Sequence, residues 1–287
     1  MAGNDVAFIA RGEHMRAMKE NGLHVKSIKG DFVINPVKVT DQIGEINPPD
    51  LVILTVKAWQ VTDMAHKLKT IIKPETIVLP IQNGVLASDE LISVLNPRNV
   101  IGGSCRIFSK IEAPGVINHY GIEPTIIFGE LNHTITDRVQ NIKNIFDEAG
   151  IVSKLSDDIH TELWMKLMVI CVGGLLAITR SPYGALREKN ETRNLMRELL
   201  QEIYLVSQKA GVNIEQTYVD QTMAYIDIYP YDSTTSLARD IWDGKPSEIE
   251  YQNGTIVALG AKYGVDTPVN RFVYYCLLPM ETKARNR

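Results

Sequence analysis

The segment LVILTV, Leu51 to Val56, constrains the fold more than any other stretch. It is an unbroken apolar run, opened by Pro48-Pro49-Asp50 and closed by Lys57. A strand with one wet face alternates apolar and polar residues; a continuous run suits a strand of a parallel sheet buried on both faces. Parallel strands need long crossover connections, usually helices. The flanking sequence meets that need. DVAFIA, Asp5 to Ala10, reads as a strand closed by Arg11-Gly12, with a helical stretch over Glu13 to Asn21. Leu23 to Ser27 and Phe32-Val33-Ile34 read as short strands. After LVILTV come a helical pattern from Trp59 to Ile72, the strand TIVLP (Thr76 to Pro80) and a helix over Ala87 to Leu95. NVIGGSC (Asn99 to Cys105) is a further strand, Gly115 to Glu130 is β-rich, and Thr134 to Ala149 is an amphipathic helix with Ile135, Val139, Ile142, Ile145 and Phe146 as its apolar positions. This alternation predicts a doubly wound α/β domain.

The strands stop near Leu155-Ser156. Helical patterns then cover Asp158 to Ile178, Thr192 to Ala210, Gln216 to Ile226, Ser236 to Trp242, Ser247 to Lys262 and Val269 to Leu278. The expected division is an α/β domain over 1–156 and an all-α domain over 157–287. A length of 287 residues accommodates both, and 45% hydrophobic with 22% charged residues suits globular, soluble domains. The net charge of -4 gives no reason to expect nucleic acid or an anionic membrane as partner. Cys105, Cys171 and Cys276 lack disulfide or zinc spacing, which points to a reducing, cytoplasmic setting. The uncharged run Leu167 to Thr179 falls short of the ~20 residues of a bilayer span and reads as a buried helix.

Four places carry candidate chemistry. Lys57 follows the LVILTV strand and Asn83-Gly84 follows TIVLP; ligands of open α/β sheets bind beyond such strand ends. The plain alternatives are a solvated lysine at a helix start and an ordinary turn. Arg11 closes DVAFIA, where an arginine suits the 2′-phosphate of NADP rather than NAD, or is simply a surface residue in a turn. Lys166 heads a long apolar stretch, with Val169 and Ile170 at i+3 and i+4. Desolvation there would lower its pKa and suit it to proton transfer near neutral pH, unless the chain snorkels its head into water. In STTSLARDIWDGKPSEIEYQNG, Ser236 starts one helical pattern. Ser247 reads as the N-cap of another, with Glu250 three residues on completing a capping box. Glu248 either favours that helix N-terminus or faces a cleft together with Ser236. The six histidines form no ligand spacing, so no metal site is expected.

ARGEH, TVKAWQV, QNG, ELWMK, TSLARDIWDGKPSEIEYQNG and GVDTPVNR, in this order, resemble the ketopantoate reductases. The resemblance implies a Rossmann-like domain followed by a helical domain. It also implies NADPH-dependent reduction of a 2-oxo acid, ketopantoate, on the route to pantothenate and coenzyme A. By the same resemblance Lys166, the proton donor, and Glu248 are the catalytic residues, and Glu248 with Ser236 bonds the substrate's hydroxyl and carboxylate. Lys57, Gln60 and Asn83 line the cofactor side, and Arg11 meets the 2′-phosphate of NADP. The ligand is then a small 2-oxo acid, and a homodimer is the assembly to test for.

Two departures from the family pattern shape the expectations. Asparagines about one and two turns after the catalytic lysine are replaced here by Ile170 and Gly174, which predicts a less polar 2-oxo acid. The opening strand and its G-x-G-x-x-G loop, which cradle the pyrophosphate, are missing from the sequence, and MAGND resembles the tail of the first family helix. A chain truncated at its N-terminus is expected to bind cofactor weakly. Other readings are a 3-hydroxyisobutyrate-type dehydrogenase, whose glycine-rich signature is not evident, and an inactive chain whose helical part dimerises or binds a metabolite.

Overall fold

The computed structural model describes residues 2–286; Met1, the first residue of MAGND, lies outside them. The chain divides into two compact units. The first comprises Met1–Val56, Gln60–Gln82 and Ser88–Ile159; the second comprises Lys57–Trp59, Asn83–Ala87 and His160–Arg287.

In the first unit, strands β1 (Ala7–Ile9), β2 (Leu23–Ser27), β3 (Phe32–Ile34), β4 (Lys38–Thr40) and β5 (Leu51–Leu54) surround helix α1 (Gly12–Asn21) in sequence. They are followed by α2 (Val61–Leu68), β6 (Ile77–Pro80), α3 (Ala87–Ile92), β7 (Gly102–Arg106), β8 (Ser109–Ala113), β9 (Val116–His119), β10 (Thr125–Gly129), α4 (Asp137–Glu148) and β11 (Ser153–Leu155). β5 and β6 run parallel, with Leu51 opposite Ile77 and Leu54 opposite Pro80. β1 pairs in parallel with β4. Among the described residues, the β1–β4 and β5–β6 pairs are separate two-stranded sheets. The remaining strands form the sheets β11-β10-β7 and β3-β2-β9-β8.

The core of this unit gathers Leu79, Ile101, Phe128, Val139, Ile142 and Phe146, with Phe128 and Phe146 edge to face at 5.5 Å. Spacings of three and four turn Val139, Ile142 and Phe146 to one side of α4. Ile135 and Ile145, expected on that stripe, are exposed, because Ile135 precedes the helix and Ile145 falls off the buried arc. Gly103 brings β7 onto β6: a Cβ there would lie 2.6 Å from the Pro80 carbonyl oxygen. LVILTV is less enclosed than its composition suggests. Leu54 is buried, but Ile53 is 40% exposed, so the face of β5 that carries it stays open.

The second unit is helical: α5 (Ile159–Cys171), α6 (Gly173–Thr179), α7 (Tyr183–Arg187), α8 (Asn190–Lys209), α9 (Tyr218–Asp227), α10 (Ser236–Trp242), a π-helical turn over Glu250–Gly254, α11 (Thr255–Tyr263) and α12 (Pro268–Arg285). The helix expected over Asp158 to Ile178 is interrupted at Val172. Together its two parts are long and apolar enough to cross a membrane, yet 67% of that window is buried inside the protein. Met196, Leu199, Leu200, Ile203 and Val206 give α8 its core stripe. Glu202, on the same helix, accepts from the Val269 and Asn270 backbone N–H groups at 2.7 and 2.9 Å. These are donors at the start of α12, which a helix leaves unpaired and which favour negative charge, so this buried carboxylate is matched.

Candidate functional site

The site grows around Glu248, which is 6% exposed. A buried carboxylate is costly unless hydrogen-bonded. Oε1 accepts from the Ala58 backbone N–H at 3.1 Å, and Oε2 accepts from Asn83 Nδ2 at 3.0 Å. The short segments after β5 and β6 belong to the same compact unit as the helices, and this brings Lys57, Asn83 and Glu248 into one structure. Gly84 makes the second segment fit. It has φ +97°, and a Cβ there would stand 2.8 Å from the Tyr251 carbonyl oxygen. Lys57 pairs with Asp240 at 3.0 Å, and its Nζ lies 5.8 Å from the centre of the Trp59 ring.

Asp240 stands four residues after Ser236 on α10, so the two share a helix face. Ser236 is exposed at the first position of that helix. The cap is Thr235, whose Oγ1 accepts from the Ala238 N–H at 3.2 Å. Thr235 also abuts the start of α6, where a Cβ on Gly173 would lie 2.5 Å from its Oγ1. Gly173 therefore lets α10 approach the helix pair that carries Lys166.

Lys166 is half-buried on α5, between the buried Trp164 and Leu167. Ile170, one turn on, is half-buried and packs against the helical core. Gly174 has no room for a side chain: a Cβ would collide with Val273 Cγ1 and lie 2.7 Å from Asn253 Oδ1. Asn253 is fully buried in the π-helical turn that follows Glu248. Its Nδ2 donates to the Cys171 carbonyl at 3.1 Å and to Asn270 Oδ1 at 3.0 Å. Its Oδ1, like Gln252 Oε1 beside it, has no hydrogen-bond partner among the described residues. An amide thus reaches the second turn after Lys166 from a different segment of chain.

Arg11 and Gln60 fall in the first unit. Arg11 is exposed and extended at the N-cap of α1 and makes no side-chain capping bond. Gly12 beside it has φ +56° and open space where a side chain would stand. A guanidinium beside bare backbone at a helix N-terminus can take an anionic phosphate. Gln60 is half-buried and ends the short 3₁₀ turn that leads into α2. No Gly-x-Gly occurs in the 287 residues.

The expected capping box at Ser247 is a correction. The Ser247 N–H, which Glu250 would take in such a box, donates instead to the Glu281 carboxylate, as does its hydroxyl. Asp240, Asn253 and Glu281 were not singled out from the sequence. Asp240 had a local signal in its spacing from Ser236; the other two act across long separations and had none.

Two family models match this chain. "Ketopantoate reductase PanE/ApbA" matches residues 1–133, and its C-terminal counterpart matches residues 158–281. A 2-dehydropantoate 2-reductase from Nostoc sp. is 30% identical over 295 residues, covering 100% of this chain and 90% of the relative. This chain belongs to the ketopantoate reductase family. It is accordingly an enzyme of the oxidoreductase class acting on CH–OH groups. Solved family structures agree in fold. The ketopantoate reductase from Ralstonia eutropha JMP134 superposes with a TM-score of 0.90 at 28% identity, covering 99% of this chain and 93% of that one. The 2-dehydropantoate 2-reductase from Geobacter metallireducens gives 0.89 at 28% identity with the same coverage. The architecture of this family, a Rossmann-like domain followed by a helical one, is the architecture of this chain.

Proposed function

We propose that this chain reduces a 2-oxo acid to the 2-hydroxy acid with NADPH, with Lys166 as proton donor. The observation that carries the reading is the Glu248 carboxylate, held by Asn83 and Ala58 beside the Lys57–Asp240 pair. When bound, the nicotinamide would supply the hydride for the carbonyl carbon. As negative charge grows on the carbonyl oxygen, Lys166 stabilises it and then gives that oxygen a proton, which solvent later restores. Ser236 donates its hydroxyl to the substrate carboxylate, and Glu248, whose oxygens keep acceptor capacity beyond the bonds from Ala58 and Asn83, accepts from the hydroxyl of the substrate or of the 2-hydroxy acid product. Arg11, Lys57, Gln60 and Asn83 are the residues that would hold the cofactor, Arg11 at its 2′-phosphate. The reading places the enzyme in a reducing aqueous compartment, the cytoplasm.

The substrate in this reading is a simple, less polar 2-oxo acid. Ile170 offers no hydrogen bond. Both Glu248 oxygens already have donors within the chain, so the carboxylate does not need a substrate hydroxyl to be satisfied. Steady-state kinetics with NADPH, comparing ketopantoate with branched 2-oxo acids lacking its hydroxyl, tests this. Higher kcat/KM for the simpler acids is expected. A clear preference for ketopantoate would overturn the substrate reading and favour a place in pantothenate synthesis.

A further inference from the structure

We propose that Glu281 and Arg285, one turn apart near the end of α12, are positioning residues for Glu248; this rests on the reading that Glu248 serves the reaction. Ser247, directly before Glu248, is fully buried. Its N–H donates to Glu281 Oε2 at 3.0 Å and to Oε1 at 3.2 Å, and its hydroxyl donates to Oε2 at 2.6 Å. Its carbonyl accepts from Arg285 Nη2 at 3.2 Å. Arg285 Nε in turn pairs with Glu281 Oε1 at 2.6 Å. Every polar group of Ser247 is therefore held by two side chains that also hold each other.

The circuit closes on the other side of Glu248. The Arg285 guanidinium carbon lies 4.5 Å from the centre of the Trp59 ring, within stacking reach. Trp59 adjoins Ala58, whose N–H binds Glu248 Oε1. The ring thus runs from Ser247 and Glu248 to Ala58 and Trp59, then through Arg285 and Glu281 back to Ser247. A glutamate side chain has three rotatable bonds, so its head is placed only when its backbone is fixed. Charge-assisted hydrogen bonds are the strong means of fixing it. Nothing in Glu281 or Arg285 need touch substrate.

The test is a cycle of E281Q and E248Q in the full chain, read by kcat/KM and by amide hydrogen exchange at Ala58, with thermal melting alongside. E281Q is expected to lower kcat/KM about tenfold, since small misplacements of reacting groups are costly. It should speed exchange at Ala58 as E248Q does. The double variant should be no worse than E248Q, because the two act through one carboxylate. Additive losses would overturn the proposal, as would unchanged Ala58 exchange in E281Q. If E281Q does not fold, S247A, which removes one hydroxyl, enters the same cycle with the same criteria. Absence of turnover with every 2-oxo acid offered would refute the proposed function, while Ala58 exchange would still decide whether Glu281 fixes Glu248.

Discussion

Replacing Gly174 with alanine adds one carbon at the most crowded point of the helical unit. Alanine is the better helix former, and on propensity it would stabilise α6 by up to about 1 kcal/mol. Packing opposes this. The new Cβ collides with Val273 Cγ1, whose residue is fully buried, and stands 2.7 Å from Asn253 Oδ1. Overpacking of this kind costs about 2 kcal/mol. Asn253 has little freedom to retreat, because its Nδ2 is bound to the Cys171 carbonyl and to Asn270 Oδ1. Disturbing those buried bonds costs about 1–2 kcal/mol more. The net effect is a destabilisation of about 2–3 kcal/mol, which lowers the melting temperature of a chain this size by roughly 5–10 °C. Differential scanning calorimetry of G174A against the parent measures it. Measured in an N253A background, the further loss from G174A should be smaller, since the two residues share the contact. A G174A variant that melts at or above the parent would refute the argument, because propensity would then outweigh a collision that does not exist.

K166A should lower kcat by about 10²–10⁴-fold with little change in melting temperature, as expected for removal of a general acid. I170N should move the kcat/KM ratio toward hydroxylated 2-oxo acids by about tenfold, measured against the parent's ratio, because it offers a hydrogen bond where the parent has none. In the first unit Glu130 is buried, which pushes its pKa up, but hydrogen bonds from Arg138 and Thr136 outweigh this and hold it below the ordinary carboxylate range. A depressed carboxylate stabilises the fold above its unfolded pKa of about 4.3, and this is lost as pH falls through the folded value. Urea titrations at pH 6 and pH 3 should therefore show a larger acid loss in the parent than in R138L. R138L itself should be less stable at pH 6 by about 2 kcal/mol, having left a buried carboxylate with fewer donors.

Elements with a local cause were legible in the sequence. α4 and α8 follow from apolar spacing, and α10 from its neighbouring turns, with Ser236 as its first residue. The β5–β6 pair follows from two apolar runs, but the open face at Ile53 does not, because burial depends on what packs above the strand. The break at Val172 was hidden for a related reason. The sequence there is uniformly apolar, and the interruption coincides with two glycines that admit Thr235 and Asn253 from distant segments. Within the site, Glu248 and Asn83 stood out by motif. That Asn83 would donate to Glu248 did not, since 165 residues separate them. Ser247 shows the limit most plainly. Its local pattern fits a capping box, and a carboxylate 34 residues away takes its N–H instead.

The residues that complete the helical unit come from both sides of the boundary in sequence. Lys57–Trp59 and Asn83–Ala87 belong to it although they are encoded among the strands. A gene cut between strands and helices would release a polypeptide from which the Ala58 amide and the Asn83 side chain had been removed. Glu248 would then lose both donors. Dissection of this enzyme into independently folding halves is thus opposed by one carboxylate, and recombination between family members would have to carry those two short segments with the helices they serve.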